Sequence, residues 1–429
     1  MISDVFAIFA QAISFYSTSY YMNKNVAIIG AGAAGCFCAL MLKRLAPTLD
    51  VCVYEAGSKA LAKVAITGGG RCNLTNTFEE IRSLKEAYPR GEQLVKRAFC
   101  QWDQNDMMHW MEQEGVPLVV QEDQCVFPKS QDAMQIVHTL LKGMEMAGVR
   151  LYLGHRVSAI APASDGYEIT FADQRQASVC ADRVVVTTGG SPKRQGLDFL
   201  APLALSIVDP VPSLFSFNIS GLSALMGIVV DPVTVGLAGT KLRTRGALLI
   251  THWGMSGPAI LKLSSHAARH LAEQGYKAQL IVNWLDEMGE EDTRTMLLEM
   301  QAVQGAKQVG NTHPQQLSSR LWQALVVRAG VRLEQRWSEV GRKQLNRLVA
   351  VLSADTYSVE GQSRHKEEFV TCGGVSTNNL NLNTLEAKNH PGLYLAGEVL
   401  DVDAITGGFN LQAAWSMGYV IACQIANEG

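Results

Sequence analysis

Apolar positions follow two different rhythms along this chain, and the first begins at residue 25. Val26-Ala27-Ile28-Ile29 is an unbroken apolar run that ends on Gly30-Ala31-Gly32-Ala33-Ala34-Gly35. A helical stripe through Ala39-Leu40-Met41-Leu42 follows, and a second apolar run, Val51-Cys52-Val53-Tyr54, ends on Glu55. Short continuous apolar runs bounded by glycine mark strands buried on both faces, so this stretch predicts a βαβ unit. Amphipathic spacing then predicts helices over 92–114 and 130–147, with strands at 116–120 and 126–128 between them. Further strands are expected at 150–157, in a small hairpin at 167–171 and 178–180, and in the buried run from Arg183 through Thr187-Thr188 to Gly189-Gly190.

Beyond Gly190 the rhythm changes. Pro192, Pro202, Pro210 and Pro212 punctuate the chain, and period-two segments at 227–235, 241–251 and 277–284 predict a small barrel or sandwich. Helical spacing returns at 292–304, 315–328 and 344–353, where Leu345, Leu348, Val349 and Leu352 form a core stripe. Strands at 357–359 and 368–372 bring the chain back to its first domain. The expected organisation is an α/β, Rossmann-like domain in two pieces, 22–195 and 356–429. An insertion at 196–355 separates them, β-barrel-like to about 288 and helical from 289 to 355. Residues 1–21 are apolar and aromatic, with Asp4 where a signal peptide would be basic, and the run Val5 to Ala10 is too short to span a bilayer. They are read as an extension before Met22 that is either non-native, with Met22 the natural start, or dispensable.

Composition narrows the partners. With 47% hydrophobic and 18% charged residues among 429, the chain has ample material for a globular core. A formal net charge of -3, without a block of lysines and arginines, makes nucleic acid a weak candidate partner. The nine cysteines form neither a C-x-x-C pair nor a zinc spacing, which suits reduced thiols in a cytoplasmic protein with no metal. A small-molecule substrate and no stable membrane association are therefore expected.

The candidate chemistry lies in the glycine segments. Gly30, Gly32 and Gly35 form the dinucleotide fingerprint: a tight turn, close approach of backbone to a pyrophosphate, and close helix–strand packing. Glu55, twenty residues past Gly35, is placed to accept both ribose hydroxyls. Thr67-Gly68-Gly69-Gly70-Arg71-Cys72-Asn73-Leu74-Thr75-Asn76 is a loop whose backbone can approach a ligand while Arg71 fixes a carboxylate or phosphate. Near the C-terminus, the strand before Gly397-Glu398 leads through Asp401 to Thr406-Gly407-Gly408-Phe409-Asn410-Leu411-Gln412, where a helix opens. Its positive end suits the negative charge a flavin gathers on reduction, with Glu398 or Asp401 on the ribityl hydroxyls. Glycine segments at both ends of one cofactor suit FAD better than NAD, and no second fingerprint is present; NAD(P)H would dock transiently as electron donor. The cofactor set also takes in Ala33, Ala34, Ala56, Val157, Thr188, Gly189 and Gly190.

With these motifs, the chain resembles the YhiN/BaiN-like family of bacterial FAD-dependent oxidoreductases. Four segments between Asn25 and Ala426 carry the likeness: Gly30 to Gly35; Gly68 to Asn73 with Thr75-Asn76; Thr251-His-Trp-Gly-Met-Ser-Gly-Pro258; and Thr371 to Val375 with Gly397 to Gln412. The resemblance implies a glutathione-reductase-like FAD domain split by the insertion, with the active site where the two meet. It also implies NAD(P)H-linked reduction of an activated C=C bond, while oxidation of a small organic substrate suits the residues equally. A tRNA-modifying flavoprotein and a non-catalytic flavin sensor are the alternatives. His252, the residue with a pKa nearest neutrality in the third motif, is the candidate proton donor, against a purely structural role in its turn. His109 and His138 are read as packing or surface residues; Cys72 is placed with Gly69, Gly70, Asn73 and Thr75 in the cofactor set, against a residue chosen for size.

Overall fold

The computed structural model of this protein describes residues 24–363 and 370–428; the extension at 1–21 and part of the strand expected at 368–372 lie outside them. Its centre is a parallel sheet in the order Leu393–Leu395, Arg183–Val186, Asn25–Ile29, Asp50–Tyr54, Arg150–Tyr152. Ile29 lies beside both Tyr54 and Val186, and Val186 beside Leu395, so the carboxyl ends of these strands are level. The turns that follow them therefore open on one edge, the usual ligand side of such a sheet. The helices Ala33–Leu45 and Phe409–Glu428 cross closely at Gly418, where a Cβ would fall 2.8 Å from the Ala34 carbonyl oxygen. Phe37 fills the space behind them, its ring 5.6 Å from Trp102, 5.1 Å from Trp110 and 5.7 Å from Trp415.

The single helix expected over 92–114 is two, Glu92–Phe99 and Gln104–Gln113. Asp103 accepts hydrogen bonds from the Asn105 and Asp106 amides while Asp106 reaches back to the Asp103 amide, so a new helix starts there despite the continuous apolar stripe.

The insertion carries its own seven-stranded sheet, in the order Asp355–Val359, Ala278–Asn283, Val229–Leu237, Arg243–Ile250, Gly254–Ser256, Phe217–Asn218, Gly361–Gln362. The first and last of these are separated only by Glu360. One bent strand thus pairs with both ends of the sheet and closes it into a barrel. The helices Glu290–Gln304, Ser319–Arg328 and Arg342–Ala354 accompany this barrel, and Leu345, Leu348, Val349 and Leu352 are buried as the stripe requires. Trp284, Trp322 and Trp337 complete a core separate from that of the parallel-sheet domain. Leu197, Leu200 and Leu203 belong to the first core and Phe215 opens the second. The division therefore falls later than the proline punctuation near 195 suggests, because the turn of 3-10 helix Arg194–Leu203 folds its leucines back onto the parallel-sheet domain. An antiparallel ribbon, Ile207–Ser213 against Val370–Val375, connects the domains. Among the described residues no helix is long and apolar enough to cross a membrane.

Candidate functional site: a cofactor cleft at the sheet edge

Steric limits explain the first glycine turn. Gly30 has φ +104°, and a Cβ there would lie 2.6 Å from the Thr187 carbonyl oxygen and 2.8 Å from the Thr188 Cα. At Gly35 it would lie 2.1 Å from the Gly30 carbonyl oxygen and 2.5 Å from Thr187 Oγ1. Thr187 Oγ1 in turn donates to the Gly30 carbonyl at 2.9 Å, tying neighbouring strand ends together. Gly32 meets nothing nearer than 4.0 Å and leaves room over the start of the helix Ala33–Leu45, whose first amides lack an intrahelical acceptor. Glu55 accepts from the Ala31 amide at 2.8 Å and from the Gly57 amide at 2.6 Å. It fastens the turn, and a carboxylate's remaining lone pairs still suffice for hydroxyl donors.

Two adjoining cavities, of about 280 and 240 Å³, share Gly30, Glu55, Thr188 and Gly189. The first runs past Ala33 and Ala34 to Gly397, Glu398, Asn410 and Leu411. The second reaches Ala56, Val157 and Gly190 beside His155 and Arg156. Glu398 accepts from the Thr371 amide at 2.7 Å and pairs with Lys63 at 3.2 Å, so both pieces of the parallel-sheet domain meet at the cleft. Lys59 and Lys63 line the first cavity and were missed by sequence reasoning. Their only signal was two lysines four apart, shortly after Glu55.

The second glycine segment packs differently. Gly68 and Gly69, at φ +59° and +68°, interrupt the helix Ala62–Gly70, and a Cβ at Gly69 or Gly70 would meet nothing within 4 Å. Arg71 turns away from both cavities: Nε donates to the Gly68 carbonyl at 3.0 Å and the guanidinium sits 4.4 Å over the Phe127 ring. Asn73, with its amide oriented to satisfy both neighbours, donates to the Thr75 carbonyl and accepts from the Gly408 amide at 3.2 Å. Thr75 Oγ1 donates to Gln412 Oε1 at 2.7 Å, and a Cβ on Gly408 would lie 2.4 Å from the Thr75 carbonyl oxygen. Gly407 accepts from Asn76, and Phe409 stacks edge-on against Phe78 and Tyr88. The loop therefore buttresses the start of the C-terminal helix, whose Asn410 and Leu411 face the cleft.

Cys72 is fully buried, and burial pushes its thiol up to about 12. It stays protonated at neutral pH, so a thiolate role is closed to it. Iodoacetamide at pH 8 is expected to label the exposed Cys100 and Cys180 within minutes and to leave Cys72 unmodified in the folded protein, as read by peptide mass analysis. Rapid labelling of Cys72 would show the loop to be open.

Gly35, Gly69 to Asn73, Thr75 and Gly407 to Phe409 line neither cavity, and Asp401 and His252 also lie outside both. Asp401 points to the insertion, 3.6 Å from Arg269. His252 sits exposed in the turn between Ile250 and Gly254, its ring 4.3 Å from that of Trp253.

The description HI0933-like protein Rossmann domain matches residues 24–424. A ribosomal RNA dihydrouridine synthase of Escherichia coli is 30% identical over 422 residues, covering 92% of this chain and 96% of that protein. A protein of the same name from Haemophilus influenzae is 28% identical, with 95% of this chain and 99% of the relative covered. A 3-dehydro-bile acid delta(4,6)-reductase of Clostridium scindens is 26% identical, with 93% and 98% covered. Matched along nearly its whole described length, the chain belongs to the HI0933-like family of Rossmann-domain flavoprotein oxidoreductases.

Proposed function

We propose that the protein is an FAD-dependent reductase of a carbon–carbon double bond conjugated to a carbonyl, and that its substrate is a uridine within ribosomal RNA. The observation that carries this reading is the cleft itself. It is open above a helix start at Gly32, runs beneath Glu55 at one end, and ends at Glu398 and a second helix start at Asn410. Gly32, where a side chain would meet nothing nearer than 4.0 Å, fits close approach of backbone to an extended dinucleotide. FAD bound there supplies two-electron hydride chemistry.

The residues around it have separable tasks. Amides of Ala33 and Ala34 would hold a pyrophosphate, Lys59 and Lys63 would add cationic charge to that wall, and Glu55 would take ribose hydroxyls. Glu398, anchored by Thr371, would orient the chain between phosphate and ring, and the first amides of the C-terminal helix would face charge that develops there. The names of the relatives support the reaction class. Making dihydrouridine from uridine adds two hydrogens across a double bond beside a carbonyl, and removing a delta(4,6) unsaturation from a 3-oxo steroid is the same change. The uridine reading rests on the higher identity of the two ribosomal RNA enzymes.

The test is to incubate purified protein, NADPH or NADH, and protein-free ribosomal RNA from a strain lacking this gene, then to analyse nucleosides by mass spectrometry. The expected result is dihydrouridine, formed only with reduced nicotinamide. NAD(P)H consumption with a steroid enone and unchanged RNA would overturn the substrate, and a colourless protein that takes up no FAD would overturn the class.

A further inference from the structure

The overall charge of -3 conceals a strong local imbalance. Residues 305–350 carry eight cationic side chains, Lys307, Arg320, Arg328, Arg332, Arg336, Arg342, Lys343 and Arg347, against only Glu334 and Glu339. All eight cations are exposed. Only Arg328 has a carboxylate partner among the described residues, the buried Asp355. The neighbouring helix Glu290–Gln304 is the contrast, because its Arg294 pairs with Glu290 and Glu291 at the spacing of an ordinary solvated face.

Five of the seven cations without a carboxylate partner fall into two local groups, Arg332 with Lys343 and Arg347, and Lys307 with Arg336. Arg347 lies across the turn after Ser319–Arg328, its guanidinium 3.2 Å from where a Cβ on Gly330 would be, and Arg332 follows two residues later. Lys343 precedes Arg347 by about one helical turn, roughly 6 Å of rise. Trp337 donates its amide to the Lys307 carbonyl and Arg336 bridges Gln308, which sets Lys307 and Arg336 side by side on the same subdomain. Behind this surface, Trp322, Trp337, Leu345 and Leu348 are buried, so the cations stand on a rigid support.

We propose that the outer face of the insertion's helical subdomain, centred on Arg332, Lys343 and Arg347, docks the phosphate backbone of the RNA substrate. The inference rests on the ribosomal RNA reading above and adds where the RNA is held. Clustered like charges with no acidic partners cost stability through mutual repulsion, a cost that a polyanion offsets by neutralising them and releasing its counterions. A small neutral substrate needs no such surface, and a helix surface of fixed cations reads backbone shape rather than sequence. The cleft would then recognise the base, and this face the strand that carries it.

Binding of fluorescent, protein-free ribosomal RNA to the full-length holoprotein tests the assignment. The triple variant Arg332→Glu, Lys343→Glu, Arg347→Glu and its Gln counterpart are compared with Lys142→Glu, an exposed control on the parallel-sheet domain. The reversal variant is expected to bind at least about tenfold more weakly, the Gln variant to fall between, and the control to match the parent. For the Gln variant, the slope of log affinity against log salt should shrink by about 2, the loss of three phosphate contacts. Flavin absorbance should stay at the parental value in every variant, and the thermal midpoint of the triple variants should not fall below it, since like-charge repulsion is relieved. Unchanged affinity and slope in the triple variants, or no RNA binding by the parent, would overturn the inference. Failure of the uridine reading is registered separately, as absence of dihydrouridine from RNA that the protein does bind.

Discussion

Gly35→Ala is expected to yield protein that purifies with little or no FAD, with cofactor affinity at least about 100-fold lower, equivalent to ~3 kcal/mol of lost contacts. The added methyl would sit 2.1 Å from the Gly30 carbonyl oxygen and 2.5 Å from Thr187 Oγ1. Neither is the end of a flexible side chain: one is backbone at the turn, the other a buried hydroxyl held by that same carbonyl. The helix must move off the strand, and the turn that presents the Gly32 region to the cleft moves with it. Overpacking of this kind costs about 1–3 kcal/mol in stability, so the variant should fold with a lowered midpoint. Titration of the apoprotein with FAD, followed by flavin fluorescence, checks the expectation. Parental affinity would show that the turn does not govern binding.

Arg90→Ala is expected to cause the largest loss of stability from a single truncation, about 3–5 kcal/mol. Arg90 makes a two-point contact with Asp403 and donates to the Ser265 carbonyl of the insertion at 2.9 Å, while Ser213 Oγ donates to Asp403 at 3.1 Å. Asp403 is buried, so removing the guanidinium leaves a carboxylate with one hydroxyl for company. Burial already raises its pKa and Arg90 is the group that opposes this. Without Arg90 the folded-state pKa rises further above the unfolded value. The defect should be largest at neutral pH and should shrink as acid protonates Asp403. Denaturant melts at pH 5 and pH 8 read this directly: an equal deficit at both would mean that lost packing, not a stranded charge, is responsible. Asp403→Asn, which removes that charge, should lose the pH dependence.

The parallel-sheet core was readable because its signals are local and steric. Continuous apolar runs ending on glycine have few alternatives, and the clashes at Gly30, Gly35 and Gly408 show why no other residue serves there. The barrel strands at Val229–Leu237, Arg243–Ile250 and Ala278–Asn283 were likewise visible from alternation. What escaped were non-local arrangements. Nothing in the sequence of 207–213 announces that Pro210 and Pro212 lie in a strand facing Val370–Val375, because prolines read as boundaries. Asp103 restarted a helix through a cap that periodicity does not register. Of the sequence candidates, those beside Gly30, Gly189 and Gly397 line the cavities while Gly69 to Asn73 and Gly407 to Phe409 do not; Lys59 and Lys63 carried no motif, and Asp401, placed by proximity to Glu398, turns its side chain to Arg269. Averaging charge over all residues hid the cationic stretch 305–350 in the same way.

The bent strand around Glu360 has one more implication. By serving both margins of the barrel it leaves few dangling peptide groups there, while the parallel sheet ends on three-residue strands and Pro210 and Pro212 withhold two donors from the connecting ribbon. At the barrel and the parallel sheet, then, little backbone is offered for a foreign polypeptide to zip onto. Recognition at these two sheets falls to side chains, and self-assembly by extending either of them is disfavoured from the outset.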